Sequence, residues 1–244
     1  MKLSLLTIFL LFSLMSGAQN SFKSQQIKFE RVNIAYTEKW GTLKQFLKAA
    51  GISDEFNMLI NAYKTEGKLE VWLKNKGSNA YKLFRTYDFC AHSGTIGPKL
   101  YEGDGQTPEG FYHINAFNPL SNFHLSLGIN FPNSVDYART GKDRSPGSDI
   151  YIHGNCVTVG CIPLTDEKIK EVYILAVEAR NVGQEKIPVN IYPFKLTDGN
   201  LKKYTAQFPK QASFWKTLQA GYLAFEKEKS LSGIMEVKGK YLIR

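Results

Sequence analysis

The stretch 68-KLEVWLKNKGSNAYKLFRTY-87 alternates apolar and polar side chains on both sides of a turn. Leu69, Val71 and Leu73 share one face of its first half, and residues 75–79 are rich in Asn, Gly and Ser. A period of two residues is typical of a half-buried strand, whereas Gly, Asn and Ser concentrate in turns. The stretch therefore predicts a β-hairpin.

Downstream of this hairpin, short candidate strands are separated by clusters of Gly, Pro, Asn and Asp. The candidate strands are Phe111–Ala116, His124–Ile129, Asp149–His153 and Val189–Phe194. The aromatic share of 13% also favours packing in sheets. Regular turn signals with few helical periods predict a mainly β (α+β) fold, a β-sandwich or partly open barrel with flanking helices.

Other segments have the period of three to four residues that is typical of amphipathic helices. The predicted helices are Glu38–Ala50, Glu55–Thr65, Asp166–Arg180 and Pro209–Lys229. A final hairpin is expected around Lys238-Gly239. The predicted organisation is a signal peptide at 1–18, a helical segment at 19–67, the β-rich domain at 68–195 and a helical appendage at 196–244.

The first 18 residues have the composition of a signal peptide. Met1-Lys2 gives a positive start, residues 3–15 are mostly apolar, and residues 16–18 are the small residues of a cleavage site. The apolar run is shorter than the roughly 20 residues of a membrane-spanning helix, although an uncleaved anchor is the alternative. We therefore expect export to the periplasm or cell envelope, with no membrane span after signal cleavage.

The composition favours a folded, basic protein. Lys and Arg number 31 against 22 Asp and Glu, so the formal net charge is +9. This balance suits a polyanionic partner, namely nucleic acid, acidic lipid or an acidic cell-wall polymer, and export makes nucleic acid the least suitable. The 43% hydrophobic content excludes a disordered chain.

Reactive side chains concentrate in residues 149–166, DIYIHGNCVTVGCIPLTD. A thiol attacks as its thiolate, which a neighbouring imidazole and a helix N-terminus both favour. The pattern predicts Cys161 as a nucleophile and His153 as its base and later acid, with the carbonyl of Gly154 orienting the imidazole. The backbone N–H groups of Gly160 and Cys161 are candidate donors to an oxyanion. The alternative is a buried, inert thiol.

The three cysteines are an odd number in a chain expected to be exported, so at least one thiol stays unpaired. A bond between Cys90 and Cys156 would leave Cys161 free, and a buried thiol at Cys156 is the alternative. The four histidines show no recognisable zinc spacing. We therefore expect no metal and no cofactor.

The order of the His-Gly and Gly-Cys pairs in this segment resembles the signature of a known family. His153-Gly154 followed by Thr158-Val159-Gly160-Cys161 is similar to the His-Gly … Ser/Thr-x-Gly-Cys signature of the YkuD-type L,D-transpeptidase catalytic domain. Residues 162–166, IPLTD, resemble the YafK-like branch of that family. Upstream stretches with the same resemblance are 96-IGPK-99, 103-GDGQTPEGFY-112 and 118-NP-119. The resemblance covers roughly residues 83–192.

The resemblance implies a YkuD-like β-rich fold that acts on peptidoglycan stem peptides. It implies that Cys161 attacks the diamino-acid residue at position three and expels D-alanine, with His153 as base and acid. The thioester would then pass to an amine or to water. By the same resemblance Gly154 orients the imidazole, and Thr158 and Gly160 occupy substrate-binding positions. An envelope protein is a second expected partner, as acyl acceptor or leaving group.

Two departures from the family pattern keep other functions open. Val159 stands where many members have a second His, and Ile162-Pro163 stand where many have Arg. The missing Arg leaves substrate anchoring and the acyl acceptor open, so a hydrolase of the same family is one alternative. A non-catalytic peptidoglycan-binding module is the other. Three basic residues are candidate carboxylate anchors for which solvated surface is the preferred interpretation: Lys99, Arg139 and Arg144.

Overall fold

The computed structural model describes residues 21–244, so the predicted signal peptide lies outside the described residues. The strands are β1 (Phe56–Tyr63), β2 (Lys68–Asn75), β3 (Lys82–Asp88), β4 (Gly110–Asn118), β5 (Ser126–Ile129), β6 (Tyr151–His153), β7 (Ile162–Pro163), β8 (Pro188–Tyr192), β9 (Ile234–Val237) and β10 (Lys240–Ile243). The α-helices are α1 (Phe22–Gln26), α2 (Glu30–Ala35), α3 (Gly41–Ala49), α4 (Ser134–Thr140), α5 (Asp166–Asn181), α6 (Asp198–Gln207) and α7 (Ala212–Glu228). A π-helical turn, Tyr36–Trp40, precedes α3, and a 3-10 turn, Pro209–Gln211, precedes α7.

Eight strands form one mixed, open sheet in the order β3-β2-β1-β8-β4-β5-β6-β7, and β9 and β10 form a separate hairpin. The β1–β8 and β6–β7 pairs are parallel, and the other neighbouring strands are antiparallel. The predicted mainly β, α+β class with flanking helices is confirmed, and the single sheet corresponds to its open form.

The hairpin at 68–87 is confirmed by β2 and β3, which pair with Lys68 opposite Asp88. The predicted helix at 55–65 is wrong, because this segment forms β1. All but one of the residues of β1 are buried, so its apolar run is nearly continuous. A strand buried on both faces does not alternate apolar and polar side chains. Its sequence therefore lacks the pattern that distinguishes a strand from a helix, which is why a helix was predicted here.

The remaining elements lie close to their predicted positions. The predicted strands correspond to β4, β5, β6 and β8 with shifted ends, and the terminal hairpin is confirmed as β9 and β10. The helical segment at 38–50 includes α3, and those at 166–180 and 209–229 correspond to α5 and to α7 with its preceding 3-10 turn. The short strand β7 was not predicted, nor were the short helices α1, α2, α4 and α6.

Helices cover both faces of the sheet. Ile191 packs in the core cluster that contains Val172 and Ala176 of α5, whereas its neighbour Tyr192 packs in the cluster that contains Trp215 of α7. Successive side chains of a strand point to opposite faces, so α5 and α7 cover opposite sides. Among residues 21–244, none of the helices is long and apolar enough to cross a membrane.

Candidate active site

Strands β6 and β7 bring the two predicted reactive residues onto neighbouring segments. Ile152 lies opposite Ile162, and His153 lies opposite Pro163 in this parallel pair. One residue before β7, Sγ of Cys161 accepts the backbone N–H of Tyr151 at 3.4 Å. The thiol therefore lies beside Tyr151, two residues along the same strand from His153.

The environment of His153 fixes its tautomer and keeps it neutral. Its side chain is buried, with the ring 4.7 Å from the ring of Phe123 between centroids, and Nδ1 lies 2.5 Å from the carbonyl oxygen of Gly154. A carbonyl can only accept, so Nδ1 carries the hydrogen of the neutral ring and Nε2 is left as the base. Burial lowers the pKa of His153 below 6.5, and the Gly154 carbonyl only partly offsets this.

The carbonyl that orients His153 is itself held by Asp166, a residue that was not predicted as part of the site. Oδ1 of Asp166, in the first turn of α5, accepts the backbone N–H of Asn155 at 2.8 Å. This N–H and the Gly154 carbonyl belong to one peptide group, whose plane Asp166 therefore holds. A Cβ at Gly154 would lie 2.6 Å from that carboxylate and 2.9 Å from the carbonyl oxygen of Phe123, so only glycine fits.

The other two cysteines form the disulfide Cys90–Cys156, which decides between the two alternatives left open by the sequence and leaves Cys161 as the free cysteine. The Cys161 thiol lies 3.6 Å from the carbonyl oxygen of Asp149, to which it donates. Burial raises its pKa above 9.0, and the charge of Asp149 adds to this, while the Tyr151 N–H and Lys99 act in the opposite direction. Burial thus opposes the thiolate that a neighbouring imidazole and a helix N-terminus were expected to favour.

Thr158 connects the residues around the nucleophile. Its hydroxyl donates to the backbone carbonyl of Cys161 at 2.8 Å and accepts the N–H of Gly160 at 3.1 Å. The N–H of Gly160 is thus engaged within the loop, unlike the expected free oxyanion donor. The preceding Val159 has 85% of its surface exposed, at the position where many family members have a histidine.

A small cavity of about 20 Å³ adjoins the sulfur, and its lining includes Lys64, Ser93, Thr107 and Cys161. A volume of this size accommodates roughly one water molecule. Ser93 and Thr107 therefore lie beside Cys161 in this structure.

Two of the candidate carboxylate anchors border the same region. Lys99 is 5% exposed and pairs with Asp104 at 2.8 Å, so solvated surface is the wrong interpretation of this residue. The charge of Lys99 also favours ionisation of Cys161. The guanidinium of Arg144 lies over the ring of Tyr101, 5.1 Å from its centroid. Among residues 21–244, no cluster of three or more His, Cys, Asp or Glu could hold a metal ion.

A buried network joins this region to the C-terminal helix α7. The ammonium of Lys64 donates to the carbonyls of Gly97 and Thr107 at 2.6 and 2.8 Å and to Oε1 of Glu109 at 3.1 Å. Oε1 of Glu109 also accepts the N–H of Gly97 at 2.8 Å, and Oε2 accepts the indole N–H of Trp215 at 2.8 Å. All three donor positions of the ammonium are thus satisfied. Glu109 lies within the 103–112 motif, but its position there gave no indication of these partners.

Comparisons with known proteins agree with the geometry. The model of the L,D-transpeptidase catalytic domain family (YkuD) matches residues 58–191, from β1 to β8. A protein of Escherichia coli K12, YafK, which is provisionally named an L,D-transpeptidase, is 34% identical over 186 residues, or 75% of this chain and 72% of that protein.

Two solved structures share part of this fold with low sequence identity. The helical cell shape determining protein Pgp2 from Campylobacter jejuni has a TM-score of 0.44 and 19% identity over 76% of this chain and 74% of that one. Bdellovibrio bacteriovorus Bd1075 has a TM-score of 0.39 and 19% identity over 69% of this chain and 62% of that one. On the family match and the 34% identity to YafK, this chain belongs to the YkuD family of L,D-transpeptidase catalytic domains, a family that modifies peptidoglycan.

Proposed function

We propose that this protein is an exported cysteine L,D-transpeptidase that acts on peptidoglycan stem peptides through a thioester at Cys161. The observation that supports the proposal is the arrangement of a free thiol beside a strand that ends in a neutral, oriented imidazole. The disulfide supports export through the predicted signal peptide, because such bonds persist in oxidising compartments.

The chemistry requires a proton acceptor for the thiol and a proton donor for the leaving group. Nε2 of His153 takes the thiol proton as Sγ of Cys161 attacks the carbonyl carbon of the third stem residue. The backbone N–H of Cys161 donates to the oxyanion of the tetrahedral intermediate. Collapse breaks the peptide bond, and the imidazolium protonates the departing amine of D-alanine.

The thioester is then resolved by an acyl acceptor. Attack by an amine gives a cross-link or a protein attachment, and the thiol regains its proton. Hydrolysis is the second candidate, because Ile162-Pro163 stand where many family members have the Arg after the cysteine, which leaves the acyl acceptor open. The hydrolase would release a shortened stem peptide or a protein linked to peptidoglycan.

The test is the mass of the product formed from a defined tetrapeptide muropeptide, with and without an added amine. An amine adduct identifies a transpeptidase, and a tripeptide identifies a hydrolase. We expect Cys161→Ala to abolish both products, whereas the paired variant Cys90→Ser/Cys156→Ser retains turnover at a temperature at which it is folded. Turnover by Cys161→Ala would exclude the mechanism.

A peptidoglycan-binding module without activity is the rival, and thiol labelling separates the two. The Cys161 thiol of an enzyme is expected to be acylated by a carbapenem, whereas denatured protein is not acylated. A folded chain that binds muropeptides but shows no acylation and no turnover would support the binding module.

A further inference from the structure

A groove of about 530 Å³ opens between α4, the start of α7 and the β9–β10 hairpin. Its lining contains the four basic residues Arg139, Lys210, Lys238 and Lys240 and the aromatic rings of Phe214 and Tyr241, with no carboxylate. The groove is separate from the cavity beside Cys161, with which it shares no lining residue.

The lysines of the groove have no ion-pair partner. Many lysines in residues 21–244 form ion pairs with Asp or Glu, but Lys210, Lys238 and Lys240 form none, and neither does Arg139. The negative charges of Glu109 and Asp136 act on Arg139 without a direct ion pair. The lysine charges repel one another, and an anionic ligand reduces that repulsion.

The hairpin fixes two of the lysines at the edge of the groove. Lys238 and Gly239 form its turn with φ values of 48° and 72°, as a type I′ turn requires. A Cβ at Gly239 would overlap Cβ of Ala138, so the turn packs directly against α4. Lys238 and Lys240 are thereby held beside Arg139 of that helix.

Arg139 is held rigidly and keeps unused donors. Its guanidinium lies 3.7 Å from the ring centroid of Phe214, and Nη2 donates to Oε1 of Gln211 at 3.1 Å. Its Nε is buried and has no acceptor in the described part of the chain. A planar guanidinium fixed in this way suits a carboxylate, which can accept two parallel hydrogen bonds.

We propose that this groove is a second peptidoglycan site, which binds a carboxylate-bearing stem peptide other than the one at Cys161. The substrate class rests on the proposed function. The basic residues match the carboxylates of such a peptide, and the rings of Phe214 and Tyr241 match its short aliphatic side chains. A bound neighbouring peptide would hold the enzyme on the cell wall between turnovers.

One residue of the groove is linked to the network of Lys64 and Glu109. Gln211, the partner of Arg139, approaches Gly97, because a Cβ at Gly97 would lie 3.9 Å from Nε2 of Gln211. The backbone of Gly97 in turn contacts Lys64 and Glu109. Arg139 is thus linked through Gln211 to Lys64, which lines the cavity beside Cys161.

The first experiment maps the site with full-length mature Cys161→Ala protein, which does not consume the peptide. A tetrapeptide muropeptide activated by carbodiimide forms amide bonds with lysines that lie beside its carboxylates, and mass spectrometry identifies those lysines. We expect labelling of Lys210, Lys238 and Lys240 at least about tenfold above that of Lys44 and Lys48, which are exposed lysines of α3. Equal labelling of both sets would overturn the proposal.

The second experiment measures retention on purified sacculi. Lys238→Gln/Lys240→Gln removes two charges from the groove, and Lys44→Gln/Lys48→Gln removes two charges elsewhere. We expect the groove variant to bind at least about tenfold more weakly and the control less than twofold. An equal loss of sacculus binding in both variants would mean that the loss reflects net charge and not the groove. Equal competition by DNA and by muropeptide against sacculus binding would exclude a peptide site.

These outcomes are independent of catalysis. If Cys161 is not the nucleophile, either the wild-type protein shows no turnover or Cys161→Ala retains it, while labelling of the groove is unchanged. If the groove is not a peptide site, turnover of soluble muropeptides persists while labelling and retention show no preference for it.

Discussion

The carboxylate of Asp166 and the imidazole of His153 bind opposite sides of one peptide group. Asp166 accepts the N–H of Asn155 at 2.8 Å, and His153 donates to the carbonyl of Gly154 at 2.5 Å. The group that orients the His153 imidazole is therefore a neutral carbonyl. The Asp166 carboxylate acts on the imidazole only indirectly, through the Gly154–Asn155 peptide group. Burial then keeps the resting imidazole and thiol neutral, which suits a base that removes the thiol proton during attack.

We predict that Asp166→Ala lowers kcat/KM for a tetrapeptide muropeptide by roughly 10- to 100-fold, as loss of an orienting partner typically does. The cause is rotation of the Gly154–Asn155 peptide away from the imidazole. Asp166→Asn keeps an acceptor for the Asn155 N–H and is expected to recover most of the activity. Steady-state kinetics on the three proteins check this.

The matched control is Asp198→Ala, because Asp198 also lies in the first turn of a helix, α6, but outside the site. It is expected to leave kcat/KM unchanged. If Asp166→Ala and Asp198→Ala behave alike, or if Asp166→Asn is as impaired as Asp166→Ala, the orienting role of Asp166 is wrong.

We predict that kcat/KM rises with pH through a pKa below 6.5 and stays high through neutral pH. Burial disfavours the imidazolium, so His153 loses its proton at a lower pH and becomes a base earlier on the pH scale. Phe123→Ala exposes the ring to water and is expected to move the acidic midpoint upward. A midpoint above 6.5 in the wild type, or one insensitive to Phe123→Ala, contradicts this assignment.

We predict that Trp215→Phe lowers activity, because Trp215 binds Glu109 and Glu109 in turn holds the loop around Gly97. The change removes the indole donor and leaves a buried carboxylate oxygen unsatisfied, which costs about 1–3 kcal/mol. The loop around Gly97 and Thr107 then loses its fixed position, and kcat/KM is expected to fall severalfold because Thr107 lines the cavity beside Cys161. Urea unfolding and turnover, measured on the same preparations, report the two effects.

The control for this change is Trp72→Phe. The indole N–H of Trp72 donates to Oε2 of Glu70 at 2.9 Å, in a buried pair on β2 that does not line the cavity. A comparable loss of stability without loss of activity is expected. Equal activity of Trp215→Phe and Trp72→Phe would show that the Trp215 contact serves stability alone.

We predict that Cys90→Ser/Cys156→Ser lowers the free energy of unfolding by about 4 kcal/mol, the loop-entropy contribution of a cross-link of this span. The two cysteines are 66 residues apart, so the bond restricts the unfolded chain strongly. Guanidinium unfolding measures the difference. A loss below about 1 kcal/mol would mean that the cross-link contributes little to stability.

The main features of the fold were predictable from the sequence because most of its strands are short, bounded by turn residues or alternating in polarity. The hairpin of β2 and β3 shows this well. The strand β1 was not predictable in the same way, since burial on both faces removes the alternation. The two-residue strand β7 is too short to carry any period.

The predictable contacts of the candidate site are those between residues that lie close together in the sequence. The contact of His153 with the Gly154 carbonyl joins adjacent residues. The odd number of cysteines required one free thiol but left the pairing of Cys90 with Cys156 open. The partners of Glu109 are 45 and 106 residues away, so no local pattern reveals them. The burial that raises the pKa of Cys161 could not be read from the sequence, because burial is a property of the folded chain.

During oxidative folding, Cys156 can pair with either of two cysteines, Cys90 or Cys161. Cys156 and Cys161 are separated by far fewer residues than Cys90 and Cys156, whose separation is 66. In an unfolded chain, loop-closure entropy favours the shorter, incorrect ring by about 2 kcal/mol. That ring would consume the sulfur of the proposed nucleophile, so we expect correct pairing to need a thiol–disulfide isomerase or prior docking of β3 beside β2, which brings Cys90 into place first.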